Sequence, residues 1–571
     1  MIGAQLLSVL LVALSGVSYA AAPVKEIRYV EPGAKHAWSI ATAPLSAELA
    51  LALAAEAMTA ARRFRGGLPV EAAAIAAGAG GLVGALQPET FGPWQPPVSA
   101  PFPPPPADRR VAALRVRVDF TVGDELAEVS VLRVRARYMD SLVATLNGKL
   151  VATRLAPPPA AGAFATLPKG PEWETIFIPV AKGVLARGKN ELLLEVRPSS
   201  SRLQPQVDVE VVGTSAVRLV RGPLLVRVGE TQATLSFETD APTTAVVKWG
   251  VGDALTKQVA SSSGTRHTVV LAALPRDAEI TYQVELPSDV APARTFHTAP
   301  ARGKSVRFVV FGDSRSGHDV HARLTAKLMT ERPDFVVATG DAVVYGHDEA
   351  DWQRFFTIEG AMLGSVPLYP SCGNHDLGAT GADQRTFEDL FPIARAPGAG
   401  YWYSVDVGDV HVALLDSNRY DDPAQKVWLE QDLAQARARG AKTLFAATHH
   451  GPWSRGPHGG NPIAKAELVP ILAKYGVAML FAGHDHIYQR GEALGLRYMV
   501  SGGGGAPLYP IVCKPELAGC DPDDGAALAV PEHHYVVVDV TGAKVRVCPK
   551  RLDGSPLEPC LTFDGARAPK R

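Results

Sequence analysis

Two neighbouring stretches decide the fold: VRFVVFGDSR at residues 306–315 and PDFVVATGDAVV at residues 333–344. Each contains an unbroken apolar run that leads into Gly-Asp. A run without polar alternation predicts a strand that is buried on both faces, as in parallel sheets covered by helices. Ligands of such sheets bind beyond the carboxyl ends of the strands. The sequence therefore places Asp313 and Asp341 where a site is expected.

The same pattern recurs further along the chain. Apolar runs with polar ends follow in SVPLYPSCGNHD (365–376), VHVALLDSN (410–418), KTLFAATHHGPW (442–453) and VAMLFAGHDH (477–486). Helix-like stretches lie between several of them, at 321–332, 425–440 and 464–476. Buried strands that alternate with helices predict an α/β layered domain, which we place at residues 301–565.

Shorter strands with alternating polarity precede this domain, for example VAALRVRVDFTV (111–122) and ITYQVEL (280–286). Many short strands separated by turn residues are typical of all-β sandwiches. We place one sandwich at 108–214 and a second at 215–300. The predicted fold class is therefore multidomain, with an α/β layered domain preceded by two all-β sandwiches.

The first sandwich resembles galactose-binding-like jelly-roll domains, through the LNG turn of YMDSLVATLNGKLV (138–151) and the GKN turn of GKNELLLEV (188–196). The resemblance implies either glycan or cell-surface contact through 108–214 or a spacer, and both stay open. The second sandwich resembles a fibronectin type III module, through QATLSFETD (232–240) and ITYQVEL. Such a module implies a scaffold.

The N-terminus predicts export. MIGAQLLSVLLVALSGVSYAAAP (1–23) has an apolar run followed by small residues, and we assign residues 1–22 as a signal peptide. A membrane anchor is the alternative, but the run is short for a bilayer span, and we expect no transmembrane span elsewhere. Residues 23–86 are Ala-rich with no assigned function, and 87–107 form a Pro-rich linker. The expected location is secreted, periplasmic or the cell envelope.

Charge gives no reason to expect nucleic acid or a membrane surface as partner. The 57 Lys and Arg residues nearly balance the 58 Asp and Glu residues, for a formal net charge of −1.

Four of the five cysteines form two close pairs in sequence: Cys513 with Cys520, and Cys548 with Cys560. Export would permit both disulfides, whereas reduced thiols with chance spacing are the alternative. Cys372 is left over and is most simply a small buried side chain.

The strand ends of the α/β domain carry a set of metal-binding residue types. They are GDSR (Asp313), GDAVVYG (Asp341), GNHD (Asn374, His375), HHGPW (His449, His450) and GHDH (His484, His486). Each alone could be an ordinary turn. Together, two aspartates, an asparagine and several histidines suit two divalent or trivalent ions such as Fe, Zn or Mn.

These five motifs resemble those of the calcineurin-like metallophosphoesterases, and the order of β module then catalytic domain is similar to that of purple acid phosphatases. The resemblance implies an αββα sandwich in which Asp341 bridges two metals. Asp313 and His486 would hold the first ion. Asn374, His484 and one histidine of the HH pair would hold the second: His449 directly follows the strand, whereas His450 matches an HxPW form. His375 would donate a proton to the leaving oxygen, with Asp376 orienting it.

Two positions depart from the family pattern. Arg315 stands where many relatives have a histidine ligand, and we interpret it as a phosphate clamp, with a surface arginine as the alternative. Purple acid phosphatases have a tyrosine three residues after the bridging aspartate, where this chain has Val344. Tyr345 comes one residue later, so we expect it not to ligate iron. We assign Tyr345, His450 and Arg315 to substrate binding.

The sequence thus predicts an exported phosphoesterase that cleaves a small-molecule phosphate ester, with a phosphomonoesterase favoured. A phosphodiesterase or nucleotidase at the same site is the alternative. A hypothesis of another class is a glycan- or surface-binding protein with a vestigial metal domain.

Overall fold

The computed structural model describes residues 26–30, 39–44, 111–154, 173–180, 183–197, 207–377, 387–393, 400–513, 521 and 523–565. The predicted signal peptide and the Pro-rich linker lie outside these residues. Within the described ranges, no helix combines the length and the apolar character needed to cross a membrane.

The first β-sandwich consists of two antiparallel sheets. Its strands are β1 Glu26–Val30, β2 Ser39–Pro44, β3 Val111–Val122, β4 Val131–Tyr138, β5 Ser141–Leu146, β6 Lys149–Arg154, β7 Trp173–Pro179, β8 Gly188–Arg197 and β9 Val207–Thr214. The sheet orders are β1-β9-β4-β7 and β2-β3-β8-β5-β6. Alternate residues of β4 are buried, as the sequence pattern predicted. The sandwich also takes in β1 and β2 from residues 26–44, upstream of the predicted boundary at 108, because they pair with β9 and β3.

The turn residues of the first sandwich have a structural role. Asn147 and Gly148 have positive φ angles of 51° and 74°, which close a tight hairpin between β5 and β6. The Asn147 side-chain amide donates to Asn190 Oδ1 at 2.8 Å and to the Val184 carbonyl at 2.8 Å. The LNG and GKN turns therefore hold each other between the neighbouring strands β5 and β8 of one sheet.

The second sandwich packs against the α/β layered domain. Its strands are β10 Leu219–Val228, β11 Gln232–Thr243, β12 Val246–Val251, β13 Lys257–Ala260, β14 Gly264–Ala272, β15 Glu279–Leu286, β16 Asp289–Val290 and β17 Arg294–His297. One sheet has the order β10-β11-β14, and the other has β13-β12-β15-β16 with β17 beside β15. Arg221 Nη2 lies 2.8 Å from Glu349 Oε1, and the Tyr282 hydroxyl donates to the Gly364 carbonyl at 2.7 Å.

The third domain is an αββα sandwich, as the motifs predicted. Its strands are β18 Val306–Phe311, β19 Phe335–Ala338, β20 Leu368–Pro370, β21 Tyr403–Val407, β22 Val410–Leu414, β23 Thr443–Ala447, β24 Met479–Ala482, β25 Tyr488–Ala493, β26 Leu496–Ser501, β27 Ala526–Val530, β28 His534–Thr541, β29 Lys544–Arg551 and β30 Leu561–Asp564. Its helices are α1 His318–Met329, α2 Glu349–Leu363, α3 Phe387–Leu390, α4 Pro423–Ala438 and α5 Val469–Lys474. The sheet orders are β20-β19-β18-β28-β29-β30 and β21-β22-β23-β24-β26-β25-β27. Phe308, Phe445 and Phe481 pack between the sheets. Helices α1 and α2 cover the first sheet, and α4 and α5 cover the second.

Strand register brings the predicted motifs to one edge. Phe311 pairs with Ala338, and Ala338 with Pro370, so three parallel strands of the first sheet end level. In the second sheet, Leu414 pairs with Ala447 and Ala447 with Phe481. The polar residues that follow these strands therefore meet at the carboxyl edge of both sheets.

A disulfide joins Cys548 to Cys560, which confirms that predicted pair. Cys372 is buried, also as predicted. The predicted Cys513–Cys520 pair falls partly outside the described residues, because Cys520 is not among them.

Candidate metal centre

The turns after the strands adopt an unusual backbone conformation at the expected ligands. Asp313, Asp341 and His484 have positive φ angles of 58°, 56° and 72°. Residues other than glycine seldom adopt this left-handed region, which costs of order 1–3 kcal/mol each and is concentrated at functional sites. The sharp turns direct three side chains to one place directly after the strands end.

One group of donors consists of Asp313, Asp341 and His449, whose ligand atoms lie within 4.8 Å of one another. All three side chains are buried. His449 Nε2 lies 3.3 Å from Asp341 Oδ1. His486 adds a further nitrogen, because its Nε2 lies 3.6 Å from Asp313 Oδ1. The His484 amide donates to both oxygens of Asp313, at 3.1 and 3.0 Å, and fixes that carboxylate.

A second group consists of His449, His450 and His484, again with ligand atoms within 4.8 Å of one another. His449 belongs to both groups and so lies between them. Asn374 joins the second group through Oδ1, which lies 3.1 Å from His449 Nε2.

Three of the four imidazoles are held by their Nδ1 nitrogens. His449 Nδ1 is 2.9 Å from the Thr339 carbonyl, His486 Nδ1 is 2.7 Å from the Pro507 carbonyl, and His450 Nδ1 is 2.7 Å from Ser417 Oγ. Such contacts fix the ring and leave Nε2 for a metal.

Burial and charge act together on the protonation of the centre. Burial raises the pKa of Asp313 well above its usual range, and the neighbouring Asp341 raises it further, although His449 opposes both. Burial also acts to raise the pKa of Asp341, but His449, His375 and Arg315 outweigh it and hold that pKa below its usual range. Two carboxylates this close and this buried favour a cation between them.

The other imidazoles are neutral at ordinary pH. Burial and the nearby His449 lower the pKa of His450 to about 3. Burial and Arg315 lower the pKa of His486 to about 4. Burial and the surrounding histidines also lower the pKa of His484. Only a neutral imidazole has a lone pair for a metal, so these three histidines suit a borderline divalent or trivalent ion. His449 differs, because Asp341 and Asp313 outweigh its burial and raise its pKa to about 9.

Two glycines leave room for the carboxylates. A Cβ on Gly373 would lie 2.2 Å from Asp341 Oδ1, and one on Gly483 would lie 2.5 Å from Asp313 Oδ2. The glycines of the GNHD and GHDH motifs are therefore required by close approach to the donors.

Asp376 does not orient His375, contrary to the sequence expectation. Its carboxylate accepts hydrogen bonds from the backbone amides of Asp341, Ala342 and Gly373, at 2.9, 2.8 and 2.9 Å. His375 Nδ1 instead lies 2.6 Å from the Val344 carbonyl. Asp376 thus holds the two metal-binding turns together, because the tight turn points it towards them.

The positions that depart from the family pattern also lie at the centre or beside it. Arg315 Nε is 3.2 Å from Asp341 Oδ2, and its Nη2 is 3.4 Å from His486 Nε2. Its position excludes the alternative of a surface arginine. The Tyr345 ring stacks on His347, with ring centroids 5.4 Å apart.

The structure adds residues that the sequence motifs did not single out. The His458 ring lies 4.4 Å from the His484 ring, and the Tyr509 ring stacks on His486 at 4.0 Å. Ser417, after β22, contacts His450. The signals available were the histidine in the glycine-rich GPHGG and the tyrosine next to the end of GGGGAPLYP, neither of which follows an apolar run directly.

Family comparisons agree with this geometry. Residues 306–488 match the family described as Calcineurin-like phosphoesterase, and residues 216–302 match a family described only as a domain of unknown function, DUF7800.

Curated relatives are acid phosphatases. The chain is 27% identical over 250 residues to tartrate-resistant acid phosphatase type 5 of Mus musculus, covering 37% of this chain and 76% of that protein. It is 30% identical over 173 residues to purple acid phosphatase 15 of Arabidopsis thaliana, covering 27% of this chain but only 32% of the plant protein.

A solved structure shares the fold. The purple acid phosphatase PPD1 from yellow lupin superposes with a TM-score of 0.52 at 14% identity, over 79% of this chain and 93% of the lupin chain.

Proposed function

We propose that this chain, which carries the calcineurin-like phosphoesterase domain of a phosphoric ester hydrolase similar to purple acid phosphatases, is an exported phosphomonoesterase with two metal ions. The observation that carries the proposal is the convergence of six donors at one sheet edge: Asp313, Asp341, Asn374, His449, His484 and His486.

In this proposal Asp341 lies between two metal positions. Asp313 and His486 would hold an ion at the first position, and Asn374, His449 and His484 an ion at the second. His450 remains the alternative ligand to His449, because both belong to the same donor group. Ions bound there would polarise phosphoryl oxygens and lower the pKa of a coordinated water. The donor set is compatible with Fe, Zn or Mn.

Two side chains would act directly on the ester. The Arg315 guanidinium, beside Asp341, would grip phosphoryl oxygens with its remaining N–H groups. The Val344 carbonyl holds His375 Nδ1, which leaves Nε2 to donate a proton to the leaving oxygen. Burial and Arg315 lower the pKa of His375, although Asp341 opposes them, so a proton on this ring would be given up readily.

The substrate class rests on the purple-acid-phosphatase-like arrangement, which favours a monoester. His450, in the second donor group, and Tyr345, which follows the Val344 carbonyl that holds His375, are the further candidates for substrate contact. Export is supported by the Cys548–Cys560 disulfide, since such bonds persist in oxidising compartments. The glycan contact proposed for the first sandwich has no support beyond its resemblance.

The test is elemental analysis of the purified full chain, together with turnover of p-nitrophenyl phosphate and bis-p-nitrophenyl phosphate. We expect two ions per chain while free divalent cation is present, and faster turnover of the monoester. Asp341→Asn should abolish turnover and lower the metal content. Faster turnover of the diester would assign a phosphodiesterase, and a chain with neither metal nor turnover would favour a binding protein.

A further inference from the structure

Arg315 lies among the donor atoms of the first metal position. Its Nε is 3.2 Å from Asp341 Oδ2, and its Nη2 is 3.4 Å from His486 Nε2. His486 Nε2 is in turn 3.6 Å from Asp313 Oδ1. A guanidinium group therefore contacts two of the three side chains that would hold the first ion.

A metal ion and this guanidinium compete for the same lone pairs. An ion would need Asp341 Oδ2 or His486 Nε2 at about 2.0–2.2 Å, which places the arginine charge a few ångströms from it. Arginine cannot relieve the repulsion by losing its proton, because a guanidinium group stays protonated in proteins. Arg315 also replaces the histidine that would have been a further donor, so the position loses a ligand and gains a positive charge.

The arginine is also held in place. Its side chain is only 15% exposed. Tyr509 stacks on the His486 ring at 4.0 Å and hydrogen-bonds Arg315. Tyr509 is itself fixed, because its backbone amide donates to the His486 carbonyl at 3.1 Å. Movement of Arg315 away from the donors would break these contacts.

The second metal position has no such competitor among the described residues. Its donors are the Asn374 amide oxygen, Asp341 Oδ1, and imidazoles, all of which bind metals in neutral or anionic form. The two positions share Asp341, but only the first has a guanidinium in contact with its donor atoms, where it offsets the charge of the Asp313 carboxylate.

We propose that Arg315 makes the two metal positions unequal, so that the Asn374–His449–His484 position holds its ion tightly and the Asp313–His486 position holds a weakly bound, exchangeable ion. The inference rests on the proposed dinuclear site and deepens it. Activity of this chain would then follow the free concentration of divalent cation in its surroundings, with Arg315 setting the threshold.

The experiment loads the full chain with Zn²⁺, removes free metal on a desalting column and measures Zn per chain by mass spectrometry. We expect about one ion retained by the wild type. Arg315→His, which restores a neutral nitrogen ligand and removes the charge, should retain about two. Arg419→His is the matched control, since Arg419 is an exposed arginine paired with Asp422, and it should retain the wild-type amount.

Calorimetric titration of the metal-free chain with Zn²⁺ measures the same difference at equilibrium. The wild type should show two steps, and Arg315→His should tighten the weaker step by on the order of tenfold or more, because a unit charge at this distance is removed. Arg315→Gln removes the charge and keeps a polar side chain. It should therefore also tighten the weaker step if Arg315→His fails to fold.

Two equally retained ions in the wild type, or an unchanged weaker step in Arg315→His and Arg315→Gln, would overturn the inference. Turnover of p-nitrophenyl phosphate separates this result from a failure of the proposed function. Two tight ions with turnover would refute only the inequality, whereas a chain without bound Zn²⁺ and without turnover would refute the phosphoesterase itself.

Discussion

At the scale of single residues, the centre depends on backbone conformation as much as on ligand identity. Asp313, Asp341 and His484 are all in the left-handed region, and Gly373 and Gly483 have no space for a Cβ. A side chain at either glycine would displace a carboxylate. In these motifs, therefore, the glycine allows the shape of the turn, and the residue next to it supplies the donor atom.

His375 provides the first prediction at this scale. If Nε2 donates a proton to the leaving oxygen, His375→Ala should reduce kcat/KM on an alkyl phosphate by on the order of 10² or more, because an alkoxide needs protonation to depart. The loss on p-nitrophenyl phosphate should be much smaller, since nitrophenolate leaves without help. Metal content should stay near the wild-type value. Equal losses on the two esters would remove His375 from the acid role.

The adjacent histidines provide the second prediction. His449 lies in both donor groups and is fixed by the Thr339 carbonyl, whereas His450 is fixed by Ser417. His449→Gln should therefore lower the Zn²⁺ content of the loaded chain more than His450→Gln. Each variant is the other's control, because the two changes have the same size. A greater metal loss in His450→Gln would assign the ligand to the HxPW histidine.

At the scale of elements, level strand ends explain why the centre could be predicted from sequence. Each ligand motif directly follows an apolar run, so parallel register alone brings it to the common edge. His458 and Tyr509 could not be found in this way, because their loops return to the centre from elsewhere. The role of Asp376 also could not be predicted from the sequence. Adjacent side chains on a tight turn point in different directions, so Asp376 contacts backbone amides and not its neighbour His375.

The same limit applies to the first sandwich. Strand β2 (SIATAP) has little apolar alternation, and its pairing with β3 is fixed only by the partner strand. Strand β2 therefore had no strand signal of its own, although β1 and β2 complete the two sheets of the sandwich. The LNG and GKN turns were recognisable because their geometry requires particular residues.

A buried histidine between β21, β22 and α4 gives a prediction of pH dependence. His411 contacts Asp406 Oδ1 through Nδ1 at 2.8 Å and Asp432 Oδ2 through Nε2 at 2.9 Å. Burial acts to lower the pKa of His411, but the hydrogen bonds that its ring donates to the two carboxylates outweigh burial and raise that pKa. Since the folded pKa exceeds the unfolded value, the ion pairs stabilise the fold at low pH, and this contribution is lost as pH rises through the folded pKa.

His411→Asn should therefore lower Tm more at about pH 6 than at about pH 9, because only the lower pH keeps the imidazole charged in the wild type. His297→Asn, at a half-exposed histidine on β17, is the control for a change of the same size. Differential scanning fluorimetry at both pH values measures the effect. A Tm difference that is the same at the two pH values would show that His411 is buried neutral.

At the scale of the whole molecule, helix α2 joins the three domains. Glu349, at its start, pairs with Arg221 of the second sandwich, and Gln353 exchanges hydrogen bonds of 3.2 and 3.1 Å with the Thr175 backbone of the first. The loop that leads into this helix follows Asp341 and carries Tyr345. Both sandwiches thus contact the helix that follows the Asp341 turn, which supports a scaffold role for the second sandwich.

Truncation tests this division between scaffold and centre. A chain beginning at Asp108 lacks β1 and β2, which are the edge strands of the two sheets of the first sandwich. Their loss exposes unpaired backbone along β9 and β3, and such edges favour association between chains.

The proposed metal ligands, Arg315 and His375 all lie beyond residue 300 and contact neither strand. We therefore expect the truncated chain to keep its metal content and its kcat/KM on p-nitrophenyl phosphate. The calorimetric transition of the first sandwich should shift to lower temperature, with more self-association in light scattering.

A chain beginning at Ala216, without the first sandwich, is the control and should lack that transition. If truncation at Asp108 instead removed turnover while this shorter chain stayed active, an unfolded first sandwich would be damaging the centre through its contact with Gln353.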